Sequence, residues 1–483
     1  MRLPEGLLTR AFTKTIATVG PASRDPQMLY EMARRGVDVF RLNMAHGNHR
    51  DHEETIQAIR EISARLNLPI GVLVDLAGPK IRLGQLVDDP TVCEEGAIYQ
   101  FVRGDVASRA DQLVCTFDKL LDELAIGDRV MLADGTVRMV VVDKQPEVVR
   151  CRVENGGPIR SRQGVNLPGA NLSLRAITDV DRDNAAWAAR HDVDFVGLSF
   201  VRRASELQEL QEILRSHDSA AMVVAKIEKG EALADLEEIV QAADAVMVAR
   251  GDLGVEIDIA EIAVVQKRII DTCRQFARPV IVATEMLDSM QRSRNPTRAE
   301  ATDVANAILD GADACMLSGE TAIGEFPCDA VEMMNRIMIA TESSREYRPP
   351  TIAPSEELQG VHPVTLSVVH GTSAIVEQLA ADMVVVATRS GATARIRSQQ
   401  RDSRPTIAVS DSARTLRQMC LMWGIIPVPA APANDPPALR RFVDAWGIRN
   451  DVLHPGNLVA SITGTGIVSD AHNSVVVHEV ERR

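Results

Sequence analysis

The sequence predicts an α/β protein in three parts: a closed (β/α)8 TIM barrel, a small β-barrel lid domain inserted into it, and a C-terminal α/β domain. Three observations predict it. Eight short Val- and Ile-rich runs, at 15–19, 37–42, 70–75, 194–200, 222–227, 245–249, 279–283 and 314–317, alternate with helical patterns. Between 81 and about 167 that rhythm stops and no long amphipathic helix pattern occurs. A Pro-containing connector, RPPTIAPSEELQG (348–360), then precedes a second α/β alternation.

Continuous apolar strands that alternate with helices are parallel strands covered on both faces, and eight such units close a barrel. In the interrupted interval, VCEEGAIYQFV (92–102), RVMLADGTVRMVVVD (129–143) and VVRCRVEN (148–155) read as strands parted by Gly and Asp turns. The helical pattern restarts at Thr178, an N-cap residue with Asp181 three positions on. The last unit reads as strands at 383–388, 406–410, 425–428, 458–463 and 475–480. The chain therefore divides into a barrel (1–84 and 165–348), a lid (85–164) and a C-terminal domain (349–483).

A length of 483 residues requires several domains. Aromatic residues are 3%, so the cores are built from Val, Ile, Leu, Ala and Met. A net charge of −14 lacks the basic footprint of a nucleic-acid binder, and an anionic substrate must be met by local cations or a metal. Seven cysteines without a C-x-x-C pair fit a reducing, cytoplasmic location. The opening MRLPEGLLTR lacks a signal-peptide core, and no run of about 18 apolar residues predicts a membrane span.

Barrel interiors are apolar, so polar residues at the C-terminal strand ends mark a site. Strand two ends in Arg41 and Asn43, and strand three in Asp75 with Lys80 and Arg82 behind it. Strand five runs into Lys226 and Glu228, strand six into Arg250 and Asp252, strand seven into Thr284, and strand eight into Ser318 and Glu320. Glu228 and Asp252, on adjacent strands, can share a hard divalent cation that also takes substrate oxygens. The surrounding cations suit phosphate and enolate oxygens, as phosphoryl transfer requires.

These strand ends stand in segments that resemble the pyruvate kinase family across nearly the whole chain. The segments are ATVGPAS (17–23), FRLNMAHG (40–47), VDLAGPKIRLG (74–84), GVNLPG (164–169), AKIEKGEAL (225–233), MVARGDLGVEI (247–257), VATEMLDSM (282–290), PTRAEATDVANAILDGAD (296–313) and MLSGETAIGEFP (316–327). The resemblance implies transfer of a phosphoryl group from phosphoenolpyruvate to ADP, giving pyruvate and ATP. It also implies a homotetramer and a sugar-phosphate effector bound by the last domain.

Residue by residue, it implies Mg²⁺, or Mn²⁺ in its place, on Glu228 and Asp252. Lys226 would stabilise the transferring phosphoryl group and the enolate, and the backbone of Gly251 and Asp252 would hold the substrate carboxylate. Thr284 would sit beside the enolate carbon, with Ser318 and Glu320 on a proton path; helix capping is the plainer reading of Thr284 and Ser318. Arg41 and Arg82 would bind phosphate, with Asn43 and His46 on the nucleotide side, although a lone loop His is as often structural. Asp134 in ADGTV is first of all a hairpin turn, where the family carries a carboxylate that closes with the lid. TRSGAT, with Thr388, Arg389, Ser390, Gly391 and Thr393, opens a helix and would take the effector phosphate. The following GTGIVSDAHNSV (464–475) departs from the family's effector loop.

Four other departures matter. Gln163 and Ile323 replace lysines, Glu285 replaces a glutamine, and Ala45 replaces a serine that binds K⁺ in many members. With Leu76, Ala77, Lys80 and Leu83, the last follows the members that do not require K⁺. Two other readings remain: an aldolase of enolate chemistry, which lacks the insertion, and a non-catalytic sugar-phosphate sensor. Intact Lys226, Glu228, Asp252 and Thr284 stand against the sensor.

Overall fold

A computed structural model describes residues 10–170, 173–344, 358, 360–402, 404–464 and 471–481. Most of the connector at 348–360 and part of the loop at 464–475 lie outside the described residues.

Eight parallel strands close a barrel. They are Lys14–Thr18, Val37–Asn43, Gly71–Asp75, Phe195–Leu198, Met222–Ile227, Ala245–Ala249, Val280–Ala283 and Ala314–Leu317. Their inward residues, among them Ile16, Val39, Leu73, Phe195, Val224, Met247, Ile281 and Met316, form one packed interior. Outward residues pack under the helices in the main core. The helix His49–Leu66 shows the pattern: Ile56, Ile59 and Ile62 recur every three residues on its buried face. Burying each contributes about 1.5–3 kcal/mol. Asp179–Arg190 begins at a capping box in which Thr178 and Asp181 satisfy each other's backbone N–H.

Between strands three and four lies a separate curled sheet of six strands, ordered Val165–Asn166, Arg129–Leu132, Val137–Gln145, Val148–Asn155, Ile98–Val102, Gln112–Leu113, with a two-stranded ribbon. Its core, including Phe101, Leu132, Met139 and Val149, is its own. Bridges Arg82 to Gly164 and Leu83 to Cys115 tie its entry to its exit.

The C-terminal sheet has five strands, ordered Ile425–Pro427, Thr406–Val409, Met383–Ala387, Leu458–Thr463, Ser474–Glu479. The last runs antiparallel. This unit sits against the N-terminal end of the barrel, where Cys420 and Leu421 join the barrel interior. Among the described residues, no helix is long and apolar enough to cross a membrane.

Candidate active site

Strand register assembles the site. It sets Arg41 beside Thr18, Asn43 beside Asp75, and Gly197 beside Asp75. A Cβ on Gly197 would lie 3.1 Å from Asp75 Oδ1, so the missing side chain leaves room for that carboxylate. Asp75 is buried and accepts from Arg41 Nε at 2.7 Å, while Lys226 Nζ stands 3.2 Å from its other oxygen. Lys226 Nζ also contacts Glu228 Oε1 at 2.9 Å and donates to Ser199 Oγ at 2.6 Å. Glu228 Oε2 accepts from Phe200 N at 2.7 Å. Lys80 extends across the mouth to within 3.8 Å of Asp252.

The charges reinforce one another. Burial pushes the Asp75 carboxyl up, but the Lys226 and Arg41 cations outweigh it and hold it below the usual carboxylate range. Burial pulls the Lys226 ammonium down, and Asp75 and Glu228 more than offset that, so it stays charged. Glu228 moves the other way: burial raises its pKa, Lys226 only partly compensates, and nearby Asp252 repels its charge. Three cations (Arg41, Lys80, Lys226) face three carboxylates (Asp75, Glu228, Asp252). A highly anionic ligand therefore needs added positive charge. Glu228 and Asp252 could hold a divalent ion that supplies it. No cluster of three or more His, Cys, Asp or Glu able to hold a metal occurs among the described residues. Such an ion would therefore take its remaining oxygens from water or substrate.

On the next strands, Gly251 N–H donates to Thr284 Oγ1 at 2.7 Å, so this amide is engaged. Thr284 and Glu285 both have left-handed backbones, with φ of 69° and 55°. Such strain persists only where surroundings impose it. Arg250 does so, donating to Thr284 O at 2.9 Å while pairing with Asp303 at 2.7 Å, and is thus spent on the turn. Neither Thr284 nor Ser318 caps the helix that follows it: Thr284 Oγ1 instead takes a first-turn N–H of the helix Arg250–Glu256, from Gly251, and the Ser318 hydroxyl is buried without a partner among the described residues. Glu320 accepts from Leu287 N at 3.0 Å and Ser318 N at 2.7 Å, and burial raises its pKa.

Other expected residues lie further out. Arg82 is held where the chain enters the inserted sheet, donating to Arg162 O at 3.1 Å. Asn43 Oδ1 accepts from Ala45 N at 3.1 Å, and the His46 side chain is exposed. Asp134 sits at φ 52° in the turn joining Arg129–Leu132 to Val137–Gln145. A Cβ on its neighbour Gly135 would lie 3.6 Å from Val255 Cγ1, so this hairpin lies against the helix Arg250–Glu256 that carries Asp252. Gln163 accepts from Arg160 N within its own turn, and Glu285 and Ile323 are exposed. Sequence reasoning missed Ser199. Its signal was present, as a polar residue between Leu198 and Phe200 near the C-terminal end of the strand-four run.

In the C-terminal domain, Thr388, Arg389, Ser390 and Thr393 line a cavity of about 580 Å³ with His362 and His472. Gly391 N–H, at φ 83°, donates to Thr388 Oγ1 at 3.1 Å, and Thr393 Oγ1 meets His472 Nδ1 at 2.9 Å.

Comparison with known proteins agrees with this layout. Residues 10–331 match the family described as pyruvate kinase, barrel domain, and residues 366–478 match pyruvate kinase, alpha/beta domain. A pyruvate kinase of Mycobacterium intracellulare is 38% identical over 473 residues, covering 97% of this chain and 98% of its own. One from Geobacillus stearothermophilus is 37% identical over 97% of this chain and 80% of its own. The crystal structure of a pyruvate kinase from Cryptosporidium parvum superposes with a TM-score of 0.90 at 30% identity, covering 99% of this chain and 98% of that one.

Proposed function

The chain belongs to the pyruvate kinase family, and on that premise we propose the roles by which its residues transfer the phosphoryl group of phosphoenolpyruvate to ADP, giving pyruvate and ATP. The observation that carries the assignment is the Lys226 ammonium set between Asp75 and Glu228 at the barrel mouth. Lys226 is kept charged there and Ser199 fixes its orientation, so it presents a fixed cation to phosphoryl and enolate oxygens. Arg41, steered by Asp75 and Thr18, binds phosphate from the strand-two side, and Arg82 joins it from the entry to the inserted sheet. Glu228 and Asp252 hold Mg²⁺, or Mn²⁺ in its place, which when bound neutralises charge on the reacting oxygens. The Asp252 backbone N–H meets the substrate carboxylate, and Gly251, its own amide held by Thr284 Oγ1, admits the ligand by lacking a side chain. Thr284 and the unbonded Ser318 hydroxyl lie on the route of a proton to the enolate carbon, and Glu320 braces it. Asn43, His46 and Lys80 serve the nucleotide side, and Asp134 approaches with the lid, which excludes water.

Lys80 stands in for K⁺. Its tether supplies one positive charge at the mouth, and Ala45 offers no side-chain oxygen to a monovalent ion. The TRSGAT cavity takes a sugar-phosphate effector through Thr388, Arg389, Ser390, Gly391 and Thr393. We place the chain in the cytoplasm as a homotetramer, divided at 84/85, 164/165 and 348/349. One assay tests the central reading: pyruvate formation from phosphoenolpyruvate and ADP, with Mg²⁺, in Tris or tetramethylammonium buffer with and without K⁺. Pyruvate must form only with the divalent ion. A rise of about tenfold or more on adding K⁺, well within the roughly 4 kcal/mol that a unit charge carries at about 4 Å and an effective dielectric of about 20, overturns the role of Lys80.

A further inference from the structure

The turn between strand two and the helix His49–Leu66 carries Asn43 and His46 at the rim of the mouth, yet its backbone is held by few contacts. Met44 N–H donates to Asp75 O at 3.0 Å, Ala45 N–H to Asn43 Oδ1 at 3.1 Å, and His46 N–H to Asn43 O at 3.1 Å. The remaining hold comes from the helix itself. His52 Nε2 lies 2.9 Å from the carbonyl oxygen of His46, which can only accept, so the ring nitrogen donates. Gly47, at φ 76°, passes so close that a Cβ there would meet His52 Nε2 at 3.3 Å.

The His52 ring is itself buttressed. Buried Trp187, on the helix Asp179–Arg190, lies 6.2 Å from it in a tilted contact. Trp187 also stacks on His49 at 5.0 Å and on His191 at 4.4 Å. His49 is pinned in turn by Asn184 at 2.7 Å. The same helix receives the chain returning from the lid, and its Asp181 accepts from Gly78 N at 3.1 Å just before the lid departs. A layered set of rings thus connects the helix that follows the insertion to the rim turn.

We propose that His52 is a positioning residue, which fixes the 44–48 turn through the His46 carbonyl and so sets the groups the turn presents to ligand. The substrate affected rests on the reading above that this turn serves the nucleotide side. Steady-state kinetics of the full-length enzyme test it, varying ADP and phosphoenolpyruvate separately. His52→Met removes the donor at similar bulk. We expect it to raise KM for ADP about fivefold, the size expected on losing one net hydrogen bond. Both kcat and KM for phosphoenolpyruvate should hold within about twofold, as for lost ground-state binding. His52→Gln, whose amide N–H can reach the place of Nε2–H, should restore KM for ADP. Gly47→Ala, strained at its φ and pressed on His52, should reproduce His52→Met and carries the test if that variant does not fold. An unchanged KM in His52→Met, or His52→Gln impaired equally, overturns the positioning role. A rise confined to phosphoenolpyruvate keeps that role and overturns the nucleotide-side reading of the turn.

Discussion

The two ends of the barrel both bury charge, and they use it differently. At the N-terminal end, Asp194 accepts from Arg417 Nε at 2.6 Å, Arg60 at 3.0 Å and Val72 N at 2.8 Å. Asp313 is held by Arg401 at 3.0 Å, Gln399 at 3.1 Å and Val280 N at 2.9 Å. Half of these partners, Arg417, Arg401 and Gln399, come from the C-terminal domain, whose Cys420 donates to Pro69 O at 3.2 Å and closes the interior from below. At the C-terminal end, Asp75, Lys226 and Glu228 are equally buried, and burial raises the Glu228 pKa as it raises that of Asp194; here, however, Thr284 is strained and the Ser318 hydroxyl has no partner among the described residues. A buried ion pair is weak evidence for stability in itself. The contrast teaches that access, not saturation, separates a docking seam from a reaction site: Arg401 Nη1 and Gln399 Oε1 in the seam also make no hydrogen bond among the described residues, but the seam's ion pairs are closed over by a second domain, whereas the part-exposed Lys80 and Asp252 leave the mouth open to a ligand.

The largest expected effect sharpens this contrast. Lys226→Met should lower kcat by about 10³-fold or more while leaving the fold and divalent-ion binding in place. Measuring kcat beside metal titration checks it, and an active variant removes Lys226 from the mechanism.

Next come matched charge removals at the two ends. Asp75→Asn and Asp313→Asn each strand buried cations, so each should destabilise the protein by about 3–5 kcal/mol in urea unfolding near neutral pH. Only Asp75→Asn should also depress kcat of the folded enzyme. Equal loss of activity in both would dissolve the distinction drawn here. The pH dependence carries a sign. Asp75 is held below its ordinary pKa, so its stabilisation is present above the unfolded carboxylate range and is lost as pH falls through the lower folded value. The gap between wild type and Asp75→Asn should therefore narrow in acid.

A smaller change is expected from Lys80→Glu, because Lys80 is part-exposed and screened. Activity without K⁺ should fall about tenfold or more. Added K⁺ should restore it only in part, since Ala45 supplies no oxygen.

The smallest effect lies furthest from the mouth. Thr388→Ala with Ser390→Ala should leave basal activity nearly intact and abolish activation by a sugar phosphate, a coupling of about 1–3 kcal/mol. A substrate curve of the unmutated enzyme that no phosphorylated sugar or nucleotide shifts would remove the effector cavity from regulation.

Local pattern determined a good deal of this protein. Period, apolar runs and caps are set by residues near in sequence, so the eight barrel strands, the Thr178 capping box and the hairpin around Asp134 were all legible. So was the gathering of Lys226, Glu228 and Asp252, because parallel barrel strands all deliver their C-terminal ends to one face. Partner choice was decided only by the tertiary structure. Whether a strand-end cation faces ligand or a neighbouring carboxylate depends on register and on chain far away in sequence. Arg250 turned to Asp303, Arg82 stayed at the entry to the inserted sheet with Arg162, and Gly251 gave its amide to Thr284. Ser199 meets Lys226, and Gly197 leaves room for Asp75, through fits between strands that no single segment encodes. The antiparallel last strand and the Cys420–Leu421 plug belong to the same class, since both answer to long-range packing rather than to local propensity.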